Sequence, residues 1–267
     1  MDSYIQRLLA KPTSYYMTGN QPSDLLMAVL RNGSLQRTKG AYHEFRQNPV
    51  AMRDTGAAWS TTAAHVNFYQ FPGFMLEGLN ITGNRNLPVM TATGLNINDE
   101  DTNTRGLQLD PGILANNRQA FKVGTDGAFF FRLKSKVADV SGTNPYAIGF
   151  REAASRNATI GSMDHMAYVD IGGTGTTTRK MRFLSKKAAG TTTTADIGDW
   201  ADGATVDVKL IVDAVGNVSV EVDGKHVTID AYQFDDEKVL IPFVHIVNGT
   251  DTAGDIELIE WDCGLVV

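Results

Sequence analysis

Carboxylates that alternate along one strand can enter a single cleft together, and two of them suffice for acid–base hydrolysis of a glycosidic bond. Two stretches of this 267-residue chain have acids close enough to test. Glu221-Val-Asp223 puts two acids on one side of a strand, but Gly224, Lys225 and His226 follow and no third acid arrives on schedule. Glu257, Glu260 and Asp262 are spaced three and two apart, which strict alternation would scatter over both faces. Both stretches read as outward charges on solvated strands. Asp99, Asp101 and Asn103 alternate as oxygen ligands on a tight loop would. Gly106 comes too late for an EF-hand, however, and no bidentate acid follows, so the segment reads as a solvated acidic turn. His43, His65, His165, His226 and His245 show no paired spacing, and Cys263 has no second cysteine, which excludes the usual zinc sets and an intrachain disulfide. No Gly-x-Ser-x-Gly elbow occurs, and Cys263 lies in an apolar tail where burial would make it inert. The expectation is a chain with no catalytic, cofactor-binding or metal-ligating residue, and hence no enzyme. Sugar stacking is the remaining chemistry. Tyr15, Tyr16, Tyr69, Phe71 and Phe74 cluster in or just after the N-terminal stretch, where core packing or contact between subunits is the ordinary use of such rings.

The elements that must position these residues begin with a leader unlike the rest. Residues 1–60 carry seven basic and four acidic residues, a balance of +3, whereas the remainder carries seventeen basic and twenty-six acidic, or −9. An acidic body argues against nucleic-acid binding by that body. The basic leader suits docking on an acidic neighbour, another copy included. No apolar run approaches the ~20 residues that cross a bilayer, so no membrane partner is expected. Met1-Asp-Ser-Tyr-Ile-Gln-Arg7 has no basic n-region before an apolar stretch, and no secretory signal is read from it. Short helices are predicted near Tyr4–Leu9, stopped by Pro12, and from the Ser23 cap through Leu25–Leu30 to Gly33. Helices this short need a surface to lie on.

From about Phe74 the hydrophobic period is two. Phe129, Phe131, Leu133 and Val137 fall on one side of Ala128–Val137, with Phe130, Arg132, Lys134 and Lys136 on the other, leaving Phe130 as the outward ring to follow. Thr205–Asp213 turns Val206, Val208, Leu210 and Val212 inward. Val218–Val222, Asp223-Gly224 and Lys225–Ile229 predict a two-residue type I′ hairpin, whose central positions both need positive φ. Further strands are expected at Phe74–Ile81, Arg105–Leu109, Tyr146–Arg151, His165–Ile171, Lys180–Leu184, Val239–Val247 and Ile256–Val266. Ten to twelve strands separated by turn signals, with no long helical window after residue 60, predict an all-β, two-sheet antiparallel jelly-roll sandwich. Residues 1–73 would form an extended arm with short helices, and residues 74–267 the sandwich. Gly172–Thr178 and Ala188–Thr194 flank one strand and are expected as exposed loop tips.

The order of elements in residues 105–267 resembles the concanavalin A-like lectin/glucanase jelly roll, including laminin-G-like modules. Phe129-Phe-Phe131, Asn144-Pro-Tyr-Ala-Ile-Gly-Phe150-Arg151, Ala167–Ile171, Met181–Leu184 and the Asp223-Gly224 hairpin carry the resemblance. The glucanase pattern Glu-x-Asp-x-x-Glu is missing, so the resemblance implies the fold and no hydrolase. The irregular leader and the Thr- and Gly-rich tips also look like those of tailed-bacteriophage virion proteins. That resemblance implies a non-enzymatic capsid decoration or cement subunit, made without a signal peptide in the host cytoplasm and localised to the virion. Its partners would be other virion proteins, shell or self. The interface would include Tyr15, Tyr16, Arg31, Arg37, Lys39, Arg46 and Arg53. A carbohydrate- or host-receptor-binding module of a tail or fibre is the alternative, with a glycan as ligand. Because the Asp99–Asn103 ligand set is incomplete, EDTA should leave the melting temperature unchanged by calorimetry; a large drop would show a structural metal.

Overall fold

A computed structural model describes residues 41–44, 68–71, 74–79, 89–90, 93–97, 106–114, 117–118, 120–140, 146–152, 160, 163–172, 178–188, 190–247 and 256–266. In chain order the strands are β1 (Ala41–Glu44), β2 (Phe68–Phe71), β3 (Phe74–Leu79), β4 (Val89–Met90), β5 (Leu95–Ile97) and β6 (Gly106–Leu114). Next come β7 (Asn117–Arg118), β8 (Phe121–Lys122), β9 (Phe129–Val137), β10 (Tyr146–Glu152), β11 (Met166–Gly172) and β12 (Thr178–Lys186). The last six are β13 (Thr193–Ala201), β14 (Thr205–Val212), β15 (Val218–Val222), β16 (Lys225–Val227), β17 (Val239–Val247) and β18 (Ile256–Leu265). They form two antiparallel sheets. The eight-stranded one runs β16-β15-β14-β9-β18-β5-β4, with β1 on β18. The ten-stranded one runs β13-β12-β11-β10-β17-β6-β3-β2, with β7 on β6 and β8 on β17.

The period-two pattern sets the inner faces. Phe129, Phe131, Leu133 and Val137 of β9 are buried, as are Val206, Val208, Leu210 and Val212 of β14. From the other sheet, Tyr146, Ile148 and Phe150 of β10 meet them in one core. Phe150 packs edge-on against Phe129, with centroids 5.2 Å apart, and against Phe131 at 6.3 Å, while Phe121 stacks flat on Phe129 at 4.7 Å. Two polar groups buried on this side are hydrogen-bonded. The Tyr146 hydroxyl donates to Ser135 Oγ at 2.8 Å, and Trp200 Nε1 donates to the Ala204 carbonyl at 3.0 Å. At the predicted hairpin Val222 pairs with Lys225, and Asp223 and Gly224 have φ of 50° and 74°.

The structure departs from the sequence expectation in three places. β1 and β2 belong to the sheets, so the sandwich takes in residues before Phe74. Phe71 pairs with Phe74 across Pro72-Gly73, a turn dipeptide that period counting from Phe74 overlooked. Thr193 and Thr194, expected in a loop tip, open β13, because threonine suits a pleated edge as well as a turn. The third departure is a bulge in β18 between Leu258 and Glu260. One extra residue reverses the side-chain parity, so Ile256 and Leu258 before it and Trp261 and Cys263 after it are all buried. The predicted arm helices and the 172–178 tip beyond Gly172 and before Thr178 lie outside the described residues. Replacing Phe150 by Ala removes a ring held between both sheets, and should cost about 3–5 kcal/mol in urea unfolding; a loss under ~1 kcal/mol would show that this aromatic cluster does not hold the sheets together.

Candidate functional site

The outward face of the eight-stranded sheet is a ladder of closed ion pairs. Arg132 on β9 donates from Nε to both Asp207 carboxylate oxygens on β14 at 2.9 Å, and from Nη2 to Glu260 on β18 at 3.1 Å. Lys134 Nζ lies 3.7 Å from the same Glu260. Glu221 on β15 is held by Lys209 and His226, each at 3.3 Å, and the Lys209 ammonium sits 5.3 Å from the Phe130 ring centroid. Phe130 is therefore buried beneath a cation and does not form an open stacking surface. Asp223 Oδ1 accepts from the Asp207 amide at 3.0 Å, which uses it inside the turn. The β18 bulge is what brings Glu260 to the outer face with Glu257 and Asp262; strict alternation would have separated them. The acids of both sequence stretches thus share one face, but Glu221 and Glu260 are tied to cations.

The outward face of the ten-stranded sheet differs. Strand register aligns one row across six strands: Gln108 on β6, His245 on β17, Ala147 on β10, Asp170 on β11, Arg182 on β12 and Asp196 on β13. The next row is Phe243, Gly149, Tyr168, Leu184 and Thr194. Arg151 stands beyond it, opposite Ile241 and Met166. Gly149 joins the second row together. A Cβ there would fall 2.2 Å from the Ala167 carbonyl oxygen and 2.6 Å from Tyr168 Cβ. With glycine in the gap, the Tyr168 and Phe243 rings meet at 6.2 Å. Ala147, Met166 and Leu184 complete an apolar cluster on this face, and Met163 and Ile160 from the β10–β11 connection pack on it.

This second face is buried as well, so its polar groups are strongly perturbed. Arg182 grips Asp170 with two bonds, Nε to Oδ1 at 3.0 Å and Nη2 to Oδ2 at 2.7 Å. Burial pushes the Asp170 carboxyl up, and the Arg182 bonds oppose that. Burial, then the neighbouring Asp170 charge, raises the Tyr168 hydroxyl above its ordinary value. Arg151 is fully buried and donates from Nη1 to the Glu152 carbonyl at 3.2 Å. His245 is fully buried with neither ring nitrogen hydrogen-bonded. Burial, reinforced by the Arg151 charge, lowers it to about 3. Cys263 is buried, as expected, and its thiol is raised by burial.

The sequence reading did not single out this row. Its members come from six strands far apart in sequence, and only the register joins them. A signal did exist: His245 is the lone ionisable residue in Val-Leu-Ile-Pro-Phe-Val-His-Ile-Val, and a single polar residue in an apolar run marks a place where polarity is tolerated for a reason. Tyr15, Tyr16, Arg31, Arg37, Lys39, Arg46 and Arg53 lie outside the described residues, as do Asp99, Asp101, Asn103 and His65. Among the described residues no group of three acids, histidines or cysteines converges on a point where a metal could sit.

The two packed antiparallel sheets define a jelly-roll β-sandwich. Among solved structures the chain is similar to the Emp47p carbohydrate recognition domain, at 13% identity, with 81% of this chain and 100% of that one covered and a TM-score of 0.53. It is also similar to the metal-free Emp46p carbohydrate recognition domain, at 6% identity over 72% of this chain and 87% of that one, TM-score 0.49. A third likeness is to the alginate lyase PA1167 from Pseudomonas aeruginosa, at 13% identity over 65% and 83%, TM-score 0.46. No family model matches the chain, and no curated protein does. At these identities the likeness concerns the fold.

The His245 environment has a consequence for acid stability. Its native value is depressed, so as pH falls from about 6.5 towards about 3 the unfolded chain takes up a proton that the native state refuses. Stability is therefore kept above that window and lost on descending through it, by up to ~1.4 kcal/mol per pH unit. Urea titrations at stepped pH should show a shallower decline between pH 6.5 and 4 for His245→Gln than for the parent; equal slopes would mean that His245 is protonated in the native state.

Proposed function

We propose that this chain works by binding and not by catalysis, as a structural protein of a virion: a capsid decoration or cement subunit that docks on its neighbours through its basic N-terminal leader. The non-catalytic part rests on one observation. Glu221 and Glu260 are ion-paired, and His245 and Tyr168 are shifted away from neutrality, His245 to about 3 and Tyr168 upward, whereas a general acid or base works best with a value near the operating pH. The docking part is supported by the +3 leader against the −9 body, and by β1, which shows that leader residues can add as a strand to β18. Strand addition supplies main-chain bonds irrespective of side chain. The same kind of pairing, made to a neighbouring copy, would lace subunits together.

A second reading has its own support. A glycan- or receptor-binding module of a tail or fibre is supported by the shared fold of the Emp47p carbohydrate recognition domain, although Gln108, His245, Asp170 and Tyr168 are buried and would not themselves meet a sugar. Two measurements separate the readings. Immunogold imaging of particles from the native source should place the chain on a shell, and a polysaccharide array should show no binding. A chain starting near Thr62 should stay folded by circular dichroism yet fail to bind the particles. Full-affinity binding by that shortened chain would sink the docking role. Reproducible turnover of any polysaccharide, abolished by substitution in the Gln108–Arg182 row, would sink the non-catalytic one.

A further inference from the structure

At one end of the sandwich a buried imidazole stands between two carboxylates that come from different segments. His165, just before β11, is 8% exposed. Its φ of 46° is left-handed, a conformation uncommon outside glycine and the mark of a position held by its surroundings. The His165 carbonyl accepts from the Glu152 amide at 2.9 Å, one rung beyond the Arg151–Met166 pair of β10 and β11. Its ring Nε2 lies 3.9 Å from Glu152 Oε2, and its Nδ1 lies 3.8 Å from Asp235 Oδ2. Asp235 belongs to the segment joining β16 to β17 and follows Phe234, which is anchored in the core. The second oxygen of each acid is taken by a lysine. Lys238 Nζ sits 3.0 Å from Glu152 Oε1, and Lys187 Nζ sits 2.5 Å from Asp235 Oδ1.

These five side chains form one row, Lys238, Glu152, His165, Asp235 and Lys187, whose charges alternate only when the ring is protonated. A neutral imidazole has a single N–H, so one of its nitrogens would face a carboxylate oxygen lone pair to lone pair. Both separations exceed a hydrogen bond, and Nδ1 is buried without a partner. A charged ring donates from both nitrogens and can close both gaps with charge-assisted bonds. The other charged pair at this end, Asp164 and Lys186, is closed on itself at 3.3 Å. Bonding to Lys187 lowers the Asp235 carboxyl, and a charged His165 adds to that, so the acid stays ionised wherever histidine titrates. We propose that His165 is a proton-operated latch: charged, it ties the segment between β16 and β17 to the ends of β10 and β11 through Asp235 and Glu152, and neutral, it lets them part. Histidine changes charge between about pH 5 and 8, so the latch is closed in mild acid and open in mild alkali. It does not depend on the function proposed above.

Amide hydrogen exchange of the full chain tests the latch, read as protection factors so that the intrinsic pH dependence of exchange drops out. The reporter is the Glu152 amide, bonded to the His165 carbonyl. The reference is the Leu210 amide, in a strand paired on both sides, and taking the ratio of the two removes global unfolding. In the parent this ratio should be about threefold to tenfold higher at pH 5.5 than at pH 8, the yield of two partly exposed ion pairs. His165→Asn keeps a residue that tolerates left-handed backbone but carries no charge, and its ratio should be the same at both pH values. Asp235→Asn should cut the parent's difference at least by half, and this keeps the test open if His165→Asn unfolds. Both variants retain His245, so its own titration cancels in the comparison. A parent ratio equal at pH 5.5 and pH 8 would overturn the proposal. So would a difference that survives in His165→Asn, or one undiminished in Asp235→Asn.

Discussion

Phe150 lies edge-on to Phe129 and Phe131, so the central strand of one sheet is keyed to the central strand of the other. Rings that must interdigitate set the spacing of the two sheets, and packing at crystal-like density leaves little freedom to slide. β10, which carries Phe150, is hydrogen-bonded on both sides and buried on both faces, with only its last residue partly exposed. Its outward residues Ala147, Gly149 and Arg151 are consequently withdrawn from water, and so are Ile241, Phe243 and His245 beside them on β17. The character of the ten-stranded sheet follows from that double burial. A strand covered on both faces reads as a nearly continuous apolar run, and each polar residue within it must be held by its surroundings or have its charge suppressed.

The two outward faces answer this demand differently. On the eight-stranded sheet, acids on β15, β14 and β18 are each paired with a base on β14 or β9, partly exposed and close enough to neutralise one another. Pairs of that kind contribute modestly to stability, but they close off acids that could otherwise do chemistry. On the central strands of the ten-stranded sheet the outward side chains are buried, so desolvation governs there. Asp170 is gripped by Arg182 from two directions, while His245 stays neutral because a charged imidazole would be desolvated beside a buried arginine. Breaking one partner of a buried ion pair leaves an uncompensated charge, so this row favours one register of the sheet over its slipped alternatives.

One fold can host unrelated activities, so function is argued from the faces and not from the architecture. Among the described residues, Glu221 and Glu260 are each tied to a cation, and β1 adds a segment of the leader to the eight-stranded sheet.

Much of this was legible in the chain before it folded. Alternation in Phe129–Val137 and Thr205–Val212 specified which side chains enter the core, because the side-chain period of a strand is two whatever its neighbours. Asp223-Gly224 specified a hairpin, because only residues tolerant of positive φ can occupy that turn. Pairing between distant strands was not legible. The row from Gln108 to Asp196 draws on strands beginning at residues 106, 146, 166, 178, 193 and 239, and no local pattern states which strand lies beside which. The bulge in β18 was hidden for the same reason. An extra residue is invisible in one strand and becomes visible only against its partner, and it turns Glu260 towards Arg132 where strict alternation would have turned it inward. Local chemistry therefore determined the central strands, the inner faces of β9 and β14 and the tightest turn; the tertiary structure alone decided which polar residues share a surface, because that depends on register between segments whose contact is paid for in loop closure and rewarded only once both sheets are packed.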